Sequence, residues 1–234
     1  MTSGATRPKL RSARLDRRTR AARAQGEGGR AALLDAAARV FSERGYRDAS
    51  VDAIAAEAGF SKGAVYWHFA GKEDLFFALL EERIERPMRD MIELLESAPA
   101  ERDMVPEANR RFVDYLEGQR DLVRLDHEYR SLAIRKPELR ERYAARRAEL
   151  RKALGRALEA RVRHLGAPVS QAPMDRMAGA FMALSSGLAL ERLIDPDAVP
   201  DDLLGEIVAL VYAGLLMRAG IATEAATEFI PRSP

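Results

Sequence analysis

Lys62, Tyr66 and Trp67 place an ammonium, a phenol and an indole N–H within six residues, and Gly63 stands among them with no side chain. These groups donate hydrogen bonds or carry positive charge, which suits a partner rich in acceptors. Lys62 can donate to O6 and N7 of guanine, the commonest pairing of a basic side chain with a base. A position without a side chain lets a helix N-terminus come close to such a partner. Catalysis finds no comparable support. The chain has three histidines and no cysteine. It has no HExxH motif, no phosphate-binding glycine loop and no nucleophile elbow. Nothing assembles a nucleophile with a base, so no catalytic residue, metal site or cofactor is expected.

The elements that position these groups are legible around them. Val51, Ile54, Ala55 and Ala58 recur at i, i+3, i+4 and i+7, one face of a short helix. Gly59 stops that helix, because glycine readily adopts the left-handed conformation that ends one. Ser61 caps the next helix through its hydroxyl, and Phe60 and Val65 are spaced for a hydrophobic staple. Val65 and Phe69 point inward at i and i+4, which leaves Lys62, Gly63, Tyr66 and Trp67 outward. Two short helices, a glycine turn and an outward face of donors describe a helix-turn-helix reader. Residues 28–45 supply the helix behind it, with Leu33, Ala37, Val40 and Phe41 as its apolar stripe and Gly45 as its terminator. Phe41, Ile54, Val65 and Phe69 form the expected small core.

This stretch resembles the TetR family of bacterial transcriptional regulators. The resemblance rests on Ile54-Ala55, Ala58-Gly59-Phe60-Ser61, Gly63, Tyr66-Trp67-His68-Phe69, Lys72-Glu73 and Leu75, and it covers residues 28–88 strongly. It implies an all-α chain: an N-terminal three-helix DNA-binding domain over 28–88, with its reader at 51–70, and a C-terminal helical ligand-binding and dimerisation domain over 89–220. It also implies a DNA-contacting set. Tyr66, His68 and Lys72 resemble the phosphate-contacting positions. Lys62, Gly63, Ala64 and Trp67 lie where the family approaches base edges, with Trp67 divided between packing and groove contact. Ser61 joins them, and Ser50 both caps its helix and reaches the DNA backbone.

Composition agrees with such a partner. Residues 1–30 carry nine Lys or Arg against Asp16 and Glu27, so that segment is +7 within a chain of net charge +2. A basic arm beside a mildly acidic body is the layout of a chain that meets phosphate. Residues 1–27 read as a disordered extension, either a solvated tail or a minor-groove arm. The absence of an apolar signal core argues against secretion. The uncharged run Ile207–Met217 is too short to span a membrane. No membrane partner is expected, and the resemblance implies a place in the bacterial cytoplasm.

The second domain reads as helices throughout. A long helix begins at Lys72, and Pro87 either hinges it or starts a new one. After the loop 97–106, helical patterns cover 107–119, 121–136 and 138–165. The last has Tyr143, Leu150, Leu154, Leu158, Val162 and Leu165 inside, and its arginines read as a solvated face. The acidic link 195–202 lacks the spacing of a calcium loop and reads as a helix-capping loop. The final helices, about 174–194 and 201–218, carry small residues every fourth position: Gly179, Ala183 and Gly187 in one, Gly205, Ala209 and Ala213 in the other. Helices apolar on most of their surface need partners on several sides: one side can be their own domain, and the other the same helix pair of a second copy in a homodimer. The segment 221–234 reads as a flexible tail.

A ligand cavity is expected among the central helices, lined by Met104, Phe112, Tyr115, His127, Tyr129, Met177, Phe181 and Met182. The expected function is that of a repressor. It would bind a near-palindromic operator as a dimer and be released by an apolar or amphipathic small molecule. The alternative is a non-inducible structural or division-control protein on the same fold, which ligand-dependent release from DNA would distinguish.

Overall fold

The computed structural model describes residues 26–99, 102–164, 166 and 171–218. The basic extension and the C-terminal tail lie outside the described residues. Among the described residues ten α-helices follow one another: α1 (Glu27–Asp48), α2 (Val51–Ala58), α3 (Lys62–His68), α4 (Lys72–Leu80), α5 (Arg86–Ser97), α6 (Val105–Gly118), α7 (Arg120–Arg135), α8 (Pro137–His164), α9 (Gln171–Ile194) and α10 (Leu203–Arg218). A π-helical segment, Glu81–Glu85, lies between α4 and α5, and a 3-10 turn, Pro196–Ala198, precedes α10. The chain divides into two compact units between Glu82 and Arg83. The long helix expected from Lys72 therefore continues as a π-helical segment, and Pro87 sits in the first turn of α5, where its missing N–H costs no bond.

In the N-terminal unit α1 packs on α2 and α4, and α2 packs on α3. Phe41, Ile54, Val65 and Phe69 are all buried, as are Leu33, Ala37 and Val40. Burying each large side chain contributes about 1.5–3 kcal/mol. Gly45 breaks the helical dihedrals of α1 with φ of +73°, yet three further residues are counted to the helix. Tyr46, just beyond that break, stacks on Phe41 and meets Phe76 edge-on.

In the C-terminal unit the 28-residue α8 packs against α5, α7 and α9, while α10 packs against α6 and α9. Leu158 and Val162 of α8 meet Met174, Met177 and Ala178 of α9. Gly155 makes that approach possible, because a Cβ there would strike the Asp175 carboxylate and lie 3.1 Å from the Asp175 Cα. Ile92 and Leu95 of α5 meet Met104 and Ala157. Leu116, Val123 and Ala189 join α6, α7 and α9. By length and composition Pro173–Ile194 could cross a membrane, but its Met174 and Ala178 are buried against α8.

One expectation for this unit needs correction. The arginines of α8 are not simply a solvated face. Arg161 is 6% exposed and donates to the carbonyls of Leu95, Ala98, Pro99 and Arg102 at 2.6–3.3 Å. A cation there also opposes the negative end of α5. Arg146 binds the buried carboxylate of Glu85 through two bonds of 2.9 Å. The stripe of small residues in α10 also faces inward at one end. Gly205 and Ala209 are buried, and the Gly205 N–H donates to Asn109 Oδ1 at 2.9 Å. A Cβ at Gly205 would lie 3.0–3.2 Å from the Asn109 side chain.

Candidate nucleic-acid interface

The reader begins with two serine caps. Ser50 Oγ accepts from Ala53 N at 3.1 Å and Ser61 Oγ accepts from Ala64 N at 3.2 Å. Between them Gly59 has φ of +71° and returns its N–H to the end of α2. These local bonds fix where α3 starts. Val65 at its middle and Phe69 just past its end are buried, so the register of its other face follows. Ala64 is half-buried on the inner flank.

On the outer face Tyr66 is 50% exposed and Trp67 is 61% exposed. Trp67 stands edge-on to His68, with ring centroids 4.5 Å apart. Gly63 is exposed, and a Cβ built on it meets only Ser61 Oγ, at 3.8 Å. Neither backbone conformation nor internal packing calls for glycine at this position.

Lys62 heads the same face, but its ammonium is paired. It lies 2.9 Å from the carboxylate of Asp52 on α2. Hydrogen bonding to Asp52, then its charge, holds the Lys62 ammonium above the usual lysine range. Asp52 is a member of this face that its sequence position alone did not flag. The only signal was its ten-residue spacing from Lys62 across the turn.

Lys72 stands differently from the others. Its ammonium donates to the carbonyls of Tyr46, Arg47 and Ala49 at 2.8, 3.0 and 2.9 Å, and sits 4.7 Å from the centroid of the Tyr46 ring. An ammonium has three donors, and here each has a backbone acceptor. Lys72 ties the start of α4 to the end of α1.

The eight cavity residues expected from sequence fall in several packing clusters. Met104 packs with α5 and α8, and Met177 and Phe181 pack in the α8–α9 cluster. Phe112 and Tyr115 pack on Leu116, Val123 and Ala189. Tyr129 and Met182 are buried, and the Tyr129 ring lies 5.9 Å from that of Tyr143. His127 Nε2 is 3.4 Å from the Ser186 carbonyl, and its neighbour Glu128 is half-buried. Among the described residues no His, Cys, Asp and Glu group is placed to hold a metal ion.

The family profile described as bacterial regulatory proteins, tetR family, matches residues 33–79. A second profile, the tetracyclin repressor-like C-terminal domain, matches residues 100–218, just over half of the chain. The HTH-type transcriptional regulator SrpR of Pseudomonas putida is 47% identical over 60 residues, 26% of this chain and 28% of SrpR. The matched segment thus spans well under two thirds of that relative. The HTH-type transcriptional regulator ArpR, also of Pseudomonas putida, is 29% identical over 194 residues, 80% of this chain and 90% of ArpR. Among solved structures, the multidrug binding protein EbrR in complex with imidazole is similar with a TM-score of 0.56 and 25% identity, over 90% of this chain and 94% of EbrR. With both of its domains matched, the chain belongs to the TetR family of bacterial regulators, DNA-binding proteins and not enzymes.

Proposed function

We propose that this chain is a repressor that binds a near-palindromic operator as a homodimer and leaves it when a small amphipathic molecule binds the C-terminal unit. One observation supports the DNA-facing part: Gly63, Tyr66 and Trp67 share a face of α3 that the described residues leave exposed. In this reading α3 enters the major groove, Gly63 lets its N-terminus sit deep, and Lys62 reads a guanine edge. Tyr66 and His68 bond phosphate, and Ser50 and Ser61 act first as caps.

The dimer reading draws support from α9 and α10. Ile194, Leu210, Val211 and Met217 are 43–73% exposed, apolar surface that a second copy of the same helix pair would cover. Two readers of a dimer enter successive major grooves about 34 Å apart, which is why the operator is expected to be an inverted repeat. The effector must bind the DNA-incompetent state more tightly, since equal affinity for both states shifts nothing. The site of action is the bacterial cytoplasm.

Selection of binding duplexes from a random pool tests this reading. Enrichment of an inverted repeat whose half-sites lie about one helical turn or somewhat more apart supports it. Enrichment of single, unrepeated sites, or of none, contradicts it.

A further inference from the structure

DNA phosphates repel a carboxylate, yet the face assigned to DNA carries one. α2 has two acids, and the fold pairs them with different helices. Glu57 meets Arg39 of α1 at 2.6 Å. Asp52 reaches across the glycine turn to α3, where both of its oxygens lie 2.9 Å from the Lys62 Nζ. The Lys62 and Asp52 side chains nevertheless stay 55% and 65% exposed.

Folding gains little from this pair, because two solvent-exposed partners make a weak ion pair. An acid in the first turn of α2 complements the helix dipole, but it would do so equally if turned away from α3. Pairing also leaves capacity unused. An ammonium has three donors and a carboxylate about four acceptor positions. The next residue, Gly63, adds no side chain, and the space its Cβ would occupy has only Ser61 Oγ within 4 Å. A donor and an acceptor, 2.9 Å apart, are thus offered together to whatever approaches the start of α3.

Base pairs present the matching arrangement. In the major groove a G·C pair shows guanine N7 and O6 as acceptors and cytosine N4 as a donor. O6 and N4 bond each other, so they stand about 2.9 Å apart. An ammonium over O6 and N7, with a carboxylate over N4, satisfies these atoms at once and keeps the two charges together. A reversed C·G pair sets the ammonium against the N4 amine and the carboxylate against O6. A T·A pair offers O4 and N6 in the right order but puts the thymine methyl where N7 would be.

We propose that Asp52 and Lys62 read one G·C pair of each half-site as a unit: Lys62 donates to the guanine and Asp52 accepts from the cytosine amine. This rests on the reading of α3 as the helix that enters the major groove, and it adds a base-reading residue from α2. It also accounts for a carboxylate on a surface that meets phosphate. Attraction to every duplex is given up for discrimination between base pairs.

Anisotropy titrations of the full-length chain test this on a selected operator in which the G·C pairs of a half-site carry N4-methylcytosine one at a time. That base keeps its pairing with guanine but loses the N4 hydrogen that faces the major groove. At one position the methyl group should weaken the wild type by about tenfold and leave Asp52→Ala within about twofold of its affinity for the unmodified duplex. 7-Deazaguanine at the same pair, which removes N7, should weaken the wild type and spare Lys62→Ala. Reversal of that pair to C·G should cost the wild type at least about tenfold and Asp52→Ala clearly less. Circular dichroism melts of each variant establish that it is folded. A position that responds in this way supports the joint reader. Asp52→Ala that tightens every duplex equally, with each penalty unchanged, overturns it and leaves Asp52 as a repulsive charge only. An operator bound tightly with no such position sinks the pair but keeps α3 as the reader. Failure to select any operator sinks both.

Discussion

Lys72 holds Tyr46 twice, through the backbone and through the ring: its ammonium donates to the Tyr46 carbonyl at 2.8 Å and lies 4.7 Å from the ring centroid. Two further carbonyls, those of Arg47 and Ala49, complete its coordination. Hydrogen bonds to a charged group contribute about 1.5–3 kcal/mol each, not additively, and the ring contact adds about 0.5–1 kcal/mol. Lys72→Met should therefore destabilise the N-terminal unit by about 2–4 kcal/mol. At a temperature where the variant is folded, the salt slope of DNA binding should match that of the wild type. A slope reduced by about one, with stability unchanged, would make Lys72 a phosphate contact instead.

Gly63→Ala separates folding from binding. Its Cβ meets only Ser61 Oγ at 3.8 Å, and alanine in a helix is up to about 1 kcal/mol more favourable than glycine. The variant should melt at or above the wild-type temperature while its affinity for operator DNA falls by about tenfold, 1.4 kcal/mol. Thermal melts and binding titrations on the same preparation check both halves. Unchanged affinity would mean that the start of α3 does not sit deep in the groove.

Asp52 opposes Lys62 at 2.9 Å on the face assigned to DNA. Removing a carboxylate from that face should favour any polyanion. Asp52→Ala should tighten binding to a scrambled duplex and steepen the salt slope by about one. Lys62→Ala should instead relax preference at one position of each half-site. The double variant decides whether the two act together. Additive effects would show that the pair seen in the free chain has no bearing on reading.

Tyr66→Phe removes one hydroxyl from an exposed side chain. Loss of a hydrogen bond of about 1 kcal/mol weakens binding about fivefold. The loss should be the same for every sequence, since a phosphate bond carries no base information. A loss confined to one sequence, read by competition between duplexes, would move Tyr66 to the base-reading set.

Leu210 is 51% exposed on α10. Leu210→Glu would place a charge in the proposed dimer interface, and sedimentation should show a dimer for the wild type and a monomer with helix content retained for the variant. A variant that still sediments as a dimer would put the interface elsewhere.

The reader was legible because its signals are local. Ser50, Gly59 and Ser61 act within three or four residues of themselves, and the inward pair Val65 and Phe69 sets the register of α3. What escaped depends on partners far along the chain. The three carbonyls that hold Lys72 come 23–26 residues earlier. Those that hold Arg161 come 59–66 residues earlier. Backbone carbonyls belong to every residue type, so no residue pattern announces them. In an arginine-rich helix, Arg161 also looks like its exposed neighbours. Gly205 shows the same limit. Its spacing correctly marks a close approach, but only the fold shows that the approach is to Asn109 within the chain.

Fluorescence anisotropy with a labelled duplex from the region upstream of this chain's own gene tests the central claim most directly. It would be run at several salt concentrations against a scrambled duplex of equal length. Tight binding to the upstream duplex alone, saturating at two or four chains per duplex, is the expected result. Equal binding to both duplexes that vanishes as salt rises would contradict it, because phosphate attraction alone would then account for the affinity.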